Sequence, residues 1–260
     1  MLRKGDLTQG GITGTLLHFT LPMMVGSFLQ QCYNIADTLI VGQCIGAGAL
    51  AAVGSAYTLM VFLISVLLGL AMGSGTVFSL HYGAGNHVAL RRSIFSSFVL
   101  IGIVTLILNV AVFIWLDPIL RLLQVPQDIY GMMRSYLWII FCGIVFTFIY
   151  NFYASLLRAV GDSVTPLWFL AVSVVLNIAL DLFFILQLDW GIQGAAAATV
   201  LAQGVAALGI IIYTYRRRPE LRWHHEDMCF DRTCLKEIAS FSTLTCVQQS
   251  VMNLGILMIQ

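Results

Sequence analysis

Charged residues are missing from long stretches of this chain, and those stretches recur at a regular spacing. From Leu7 to Ala36 the titratable His18 is the one departure, and the apolar pattern continues past Asp37 to Val41. Further uncharged runs cover Ala49–Leu80, Ser93–Leu116, Ser135–Leu157 and Ser163–Leu180, the last continuing past Asp181 to Leu188. Trp190–Tyr215 and Ile238–Gln260 complete the set. A spanning helix needs about 20 predominantly apolar residues, so the pattern predicts six complete helices and a seventh that meets the end of the chain. Transmembrane strands would be alternating segments of about 10 residues, which these runs are not. Gly42–Gly48 and Tyr82–Asn86 read as glycine-rich turns, and Asp117-Pro118 and Val125-Pro126 as helix stops.

Composition fixes the solvent. Of 260 residues, 59% are hydrophobic and 10% charged, where a soluble domain carries about 25% charged residues. So few charges cannot cover a globule this size, and lipid must be the partner of the remaining surface. The net charge of +1 gives no reason to invoke nucleic acid. Arg3 and Lys4 resemble the start of a secretory signal, but the apolar stretch behind them is too long and too polar in places. With a cytoplasmic amino terminus and alternating helices, the inner segments hold Arg3, Lys4, Arg91, Arg92, Arg158, Arg216, Arg217, Arg218, Arg222, Arg232 and Lys236. The outer side holds only Arg121 and Arg134. Eleven against two is a strong inside bias, with Arg216–Arg218 read as an anchor near anionic headgroups. The six cysteines form no CxxC pair and read as buried small hydrophobes. His224, His225, Cys229 and Cys234 fit no standard zinc spacing.

Ten of the 12 acidic residues fall in loops or at helix ends. Asp37 and Asp181 do not. A carboxylate in the hydrocarbon region costs about 2.5–3.5 kcal/mol on insertion scales and usually faces a bundle interior. Gln30, Asn34 and Asp37 share one helical face, as do Ser173, Asn177 and Asp181, and Thr199 and Gln203. Polar stripes on apolar helices face one another or water rather than lipid. At about 1.5 Å rise per residue, Asp37, Asp181, Tyr136 and Thr199 occupy one layer in the outer half of the bundle, a candidate ion site.

Several segments resemble the MATE (multidrug and toxic compound extrusion) transporter family. They are Pro22-Met23-Met24, Gln30 to Thr38 with Val41-Gly42, Ala49 to Gly54, Arg158 to Ser163 before Pro166, Asn177 to Asp181, and Gly191 to Ala196 with Thr199. The resemblance implies an antiporter of two six-helix lobes, with an amino-terminal ion site on Asp37, Asp181, Asn177 and Thr199. Na+ is admissible at those same four residues. It further implies Gln30, Tyr136 and Asn151 as cavity-lining positions beside Asn34, with Asn151 well below the Asp37 layer. Pro22 matches a proline in a first helix that bends on protonation.

The expected fold is therefore an all-α integral membrane protein, with a six-helix transporter lobe at 1–218, a cytoplasmic inter-lobe loop at 219–236 and one helix of a truncated second lobe at 237–260. Gln248-Gln249 echoes Gln30-Gln31, as in parallel-repeat transporters. The expected function is secondary export of organic, often cationic, compounds by antiport with H+ or Na+ at the plasma (inner) membrane. No cofactor is expected beyond that ion. Expected partners are membrane lipid, a small organic substrate and the missing carboxy-terminal lobe. Alternatives are a flippase for lipid-linked precursors or polysaccharides, exporter of one metabolite, or an inactive membrane fragment or scaffold. An intramembrane aspartyl protease lacks its Gly-x-Gly-Asp signature here. No basic residue is expected mid-helix, which favours the antiporter over a carrier of anionic lipid.

Overall fold

The computed structural model describes residues 12–223 and 232–259. Every regular element among them is helical. Helix α1 spans Ile12–Cys44, α2 Ala47–Gly83, α3 His87–Leu122, α4 Gln127–Cys142, α5 Ile144–Ala159, α6 Val164–Leu182, α7 Gly191–Arg217 and α8 Arg232–Ile259. A π-helical turn, Phe183–Gln187, prolongs α6, and a 3-10 turn, Pro219–Leu221, follows α7. α8 thus starts inside the segment read from the sequence as inter-lobe loop.

Four elements are long and apolar enough to cross a membrane: α2, α3, α6 with its π-helical turn, and α7. The bent pair α4–α5 makes a fifth when taken as one span. At 33 and 28 residues, α1 and α8 also exceed the length a span needs. Large apolar side chains such as Phe28, Leu106, Trp168 and Val175 stand exposed around the bundle, as a lipid-facing surface requires. Cys32, Cys44 and Cys142 are exposed too, contrary to the expected burial; a lipid-facing position accommodates the same small apolar side chain.

Two sequence readings give way to tertiary structure. The fourth expected helix is two, bent by 48° at Gly143, where α7 packs directly on the backbone. A Cβ on Gly143 would sit 2.4 Å from Val200 Cγ2, so the close approach needs glycine. Asn109 of α3 donates from Nδ2 to the Phe141 carbonyl at 2.9 Å, satisfying an acceptor at the break. Conversely, Asp117-Pro118 does not stop α3, which runs on to Leu122. Leu116 and Leu120 are buried on either side of the proline. Asp117 accepts from Tyr130 Oη at 2.9 Å and from Arg134 Nε at 2.8 Å, both on α4. Packing and these bonds hold the last turn despite the one backbone bond that proline removes. Val125-Pro126 does end the element, and Pro126 precedes the first residue of α4.

α7 lies against α4, α5 and α6, while α1 packs mainly on α6. Phe78, Phe98, Phe148 and Phe152 form an aromatic core joining α2, α3 and α5, with ring centroids 5.3–6.0 Å apart. Trp223 closes over it from beyond α7, 5.4 Å from Phe98. α8 lies along α2. Gly69 and Gly73 make that approach: a Cβ there would meet the Cα atoms of Cys246 and Ser242 at 2.6 and 2.4 Å. Thr245 Oγ1 donates to the Gly69 carbonyl at 2.7 Å, and Ser242 Oγ donates to the Leu70 carbonyl at 3.4 Å. Two glycines four apart, with hydroxyls bonding across, are the small-residue solution to helix association in lipid.

Candidate functional site

A cavity of about 1330 Å3 lies among α1, α2, α4, α5, α6 and α7. The polar stripes read from the sequence all face it. α1 contributes Gln30, Asn34 and Asp37, α6 contributes Ser173 and Asn177, and α7 contributes Thr199 and Gln203. Tyr136 of α4 and Asn151 of α5 also line it. The stripes form because residues three and four apart stack on one helical face. They turn inward because lipid offers amides and carboxylates no partners.

Asp37 is buried at 7% exposure, and Asp181 is wholly buried behind the cavity wall at 0%. Their side chains lie within hydrogen-bonding reach of each other. Asn177 joins the pair to α7. With its amide nitrogen toward Asp181 Oδ2 (2.9 Å), its oxygen accepts from the Thr199 backbone N–H (3.2 Å) and from Thr199 Oγ1 (3.3 Å). The opposite amide orientation would set nitrogen against the Thr199 backbone N–H and oxygen against Asp181 Oδ2, so the hydrogen bonds fix the first. Asp37 Oδ1 and Asp181 Oδ1 are buried without a hydrogen-bond partner, where buried polar atoms ordinarily find one. Two carboxylates, an amide and a hydroxyl offer hard oxygen donors, a set that fits a proton or Na+.

Of the expected site residues, the structure brings Asp37, Asn177, Asp181 and Thr199 into one cluster and sets Tyr136 beside it, buried at 4% exposure. The others line the same cavity without a hydrogen bond to the cluster among the described residues. Gln30 is exposed to the cavity; Asn34 donates to Gln31 Oε1 at 3.1 Å; Asn151 donates to the Thr147 carbonyl on its own helix at 2.8 Å. Pro22 lines the cavity within an unbroken α1.

Two participants escaped the sequence reading. Tyr33 lines the cavity and shares a hydrogen bond with Thr199 Oγ1 at 3.2 Å, linking α1 to α7. Its signal was its place one turn before Asp37. Arg158, read as an inner-side topology charge, stands in the last turn of α5 and also lines the cavity. Arg218, read as a headgroup anchor, instead pairs with Asp162 at 3.5 Å and with Glu220 at 3.6 Å. His224, His225 and Cys229 lie outside the described residues. Cys234 is buried, 3.4 Å from Ser93 Oγ.

The MatE family model matches residues 22–183. The probable multidrug resistance protein YpnP of Bacillus subtilis (strain 168) is 37% identical over 217 residues, covering 84% of this chain and 49% of that protein. The probable multidrug resistance protein NorM of Thermotoga maritima is 28% identical over 248 residues, covering 94% and 53%. The chain thus spans about half the length of the curated relatives it matches. Among solved structures, a MATE crystallised in complex with MaD5 superposes with a TM-score of 0.91 over 99% of this chain and 58% of that one, at 24% identity. A MOP superfamily transporter from Pyrococcus furiosus, described for the reverse polarity of its binding pocket, superposes at 0.87 with 26% identity, covering 97% and 56%.

Proposed function

This chain belongs to the MATE family of multi-pass membrane transporters, not of enzymes, and on that premise we propose that it supplies the ion-coupling half of a secondary exporter of organic, often cationic, compounds. The coupling ion is H+ or Na+. One observation carries the reading: two mutually close, buried carboxylates stand at the wall of a cavity large enough for a drug-sized molecule. Two bare carboxylates in low dielectric repel strongly, so the pair is stable only when it shares a cation.

The neighbours convert that occupancy into a signal. Asn177 donates its amide nitrogen to Asp181 Oδ2 and accepts on its amide oxygen from Thr199. Thr199 in turn bonds Tyr33, so Asp181 on α6 is linked to α7 and then to α1 through three hydrogen bonds, the first of which weakens when protonation removes the charge of its acceptor. Ion entry from outside resets these contacts as drug leaves.

The test uses the full-length transporter in liposomes loaded with a fluorescent organic cation. An imposed inward H+ or Na+ gradient is expected to drive dye out, and failure of both gradients overturns the reading. The same reading carries seven passes with a cytoplasmic amino terminus in the plasma membrane. Single cysteines placed at Asp6, Gly46, Asn86 and Asp189 should then label in, out, in, out, and labelling at Gly46 from the cytoplasmic side contradicts the topology. The rival, a flippase for lipid-linked anionic cargo, is favoured by one observation, Arg158 on the cavity wall. One guanidinium opposite a carboxylate pair does not make a basic cavity.

A further inference from the structure

The two ends of the cavity differ in charge. At one end stand Asp37 and Asp181; at the other, where α6 begins, stand Arg158 and Ser163. At 1.5 Å rise per residue, roughly 27 Å of α6 separates Ser163 from Asp181. Given the export reading above, we propose that the Arg158 end is a subsite for the carboxylate of amphoteric substrates, molecules carrying an acid as well as an organic cation.

Three observations converge there. Arg158 faces the cavity with one partner among the described residues, the neutral Ser155, whose Oγ accepts from Nη2 at 3.0 Å. A guanidinium has five donors in a planar fork that matches a carboxylate in bidentate fashion. Its nearest acid in the chain is committed elsewhere: Asp162 accepts from the Thr165 N–H at 3.0 Å, from Thr165 Oγ1 at 2.9 Å and from Arg218 at 3.5 Å. Arg218 is shared between Asp162 and Glu220, and among the described residues no acid forms an ion pair with Arg158. Ser163 also lines the cavity, and its side chain makes no capping bond to α6, so its hydroxyl remains a donor. The amino-terminal end of a 19-residue helix lies beside both, and its dipole favours an anion. A half-buried cation of this kind is a costly element of a lobe without a counter-anion, and a substrate carboxylate supplies one. The separation keeps that carboxylate well away from the Asp37 pair.

The test compares a rhodamine bearing a free benzoate with the same rhodamine as its methyl ester, two dyes that differ only in the acid. Binding to the full-length transporter is read by fluorescence anisotropy in neutral detergent after delipidation, so that no headgroup phosphate competes. Arg158→Gln is expected to raise the Kd of the acid about tenfold, the usual scale for losing a charge-assisted bond, and to leave that of the ester within about twofold. Ser163→Asp, a good helix-capping residue that places a carboxylate beside the guanidinium, should exclude the acid in the same way without removing the arginine. Should Arg158→Gln fail to fold, Ser163→Asp carries the test alone. Acid and ester affinities that move together, or neither moving, overturn the subsite. Wild-type protein that binds the ester and not the acid overturns this inference alone; wild-type protein that binds neither overturns the export reading with it.

Discussion

Asp181→Asn is expected to abolish ion-driven efflux while the protein remains folded and inserted. The substitution keeps shape and removes the charge, so Asp37 loses the neighbour with which it shares an ion. Asn177 loses the charged oxygen that accepts from its amide nitrogen. The side chain is wholly buried and lies behind the cavity wall rather than on it, so drug binding should survive. Efflux down an imposed H+ or Na+ gradient should fall to the rate measured without a gradient. The melting midpoint should stay within about 5 °C of wild type, because a neutral amide is cheaper to bury than a charge. Asp37→Asn should abolish gradient-driven efflux in the same way, and because Asp37 lines the cavity, drug binding to that variant is measured separately. Gradient-driven efflux at the wild-type rate in the double variant would show that the pair does no coupling.

Gly73→Leu is expected to give the largest loss of stability. Its first carbon alone would fall 2.4 Å from Ser242 Cα and 2.6 Å from Ser242 N, backbone atoms that no rotamer change can move. α8 must lift from α2, which breaks the Ser242 and Thr245 bonds to α2 carbonyls. Overpacking costs about 1–3 kcal/mol in ordinary cores, and loss of a whole helix seam should lower the melting midpoint of the full-length protein by about 5–10 °C. Gly83→Ala, on the same helix with open space around it, is the control and should change nothing. A midpoint for Gly73→Leu equal to that of the control would mean that α8 does not pack here.

The helical elements and the carboxylate layer were legible because both obey local rules. Uncharged runs report spans whatever their packing, and spacing of three and four puts Asn177 with Asp181 and Asn34 with Asp37 on inward faces without any knowledge of neighbours. The features that escaped depend on another helix. Gly143 breaks the fourth helix because Val200 arrives from α7, and Pro118 fails to break the third because α4 and buried leucines hold its last turn. Tyr33 was passed over because its role depends on Thr199 arriving from α7, although it sits one turn from Asp37. Arg158 was counted as a loop charge because sequence gives its distance from a helix end and not the depth to which a cavity reaches.

The α2–α8 seam also sets an order for biogenesis. The bonds across it join residues 172 to 180 positions apart, so α2 enters the membrane long before its partner is made. At about 5–20 residues per second of synthesis, the Gly69–Gly73 face waits roughly 10–35 s as a smooth groove open to lipid and to any other small-residue helix nearby. Its own backbone bonds are satisfied within α2, so waiting costs little, but the groove discriminates poorly until the Ser242, Thr245 and Cys246 side chains arrive to bond its carbonyls. Assembly is therefore most vulnerable to a wrong neighbour in the interval between insertion of α2 and insertion of α8.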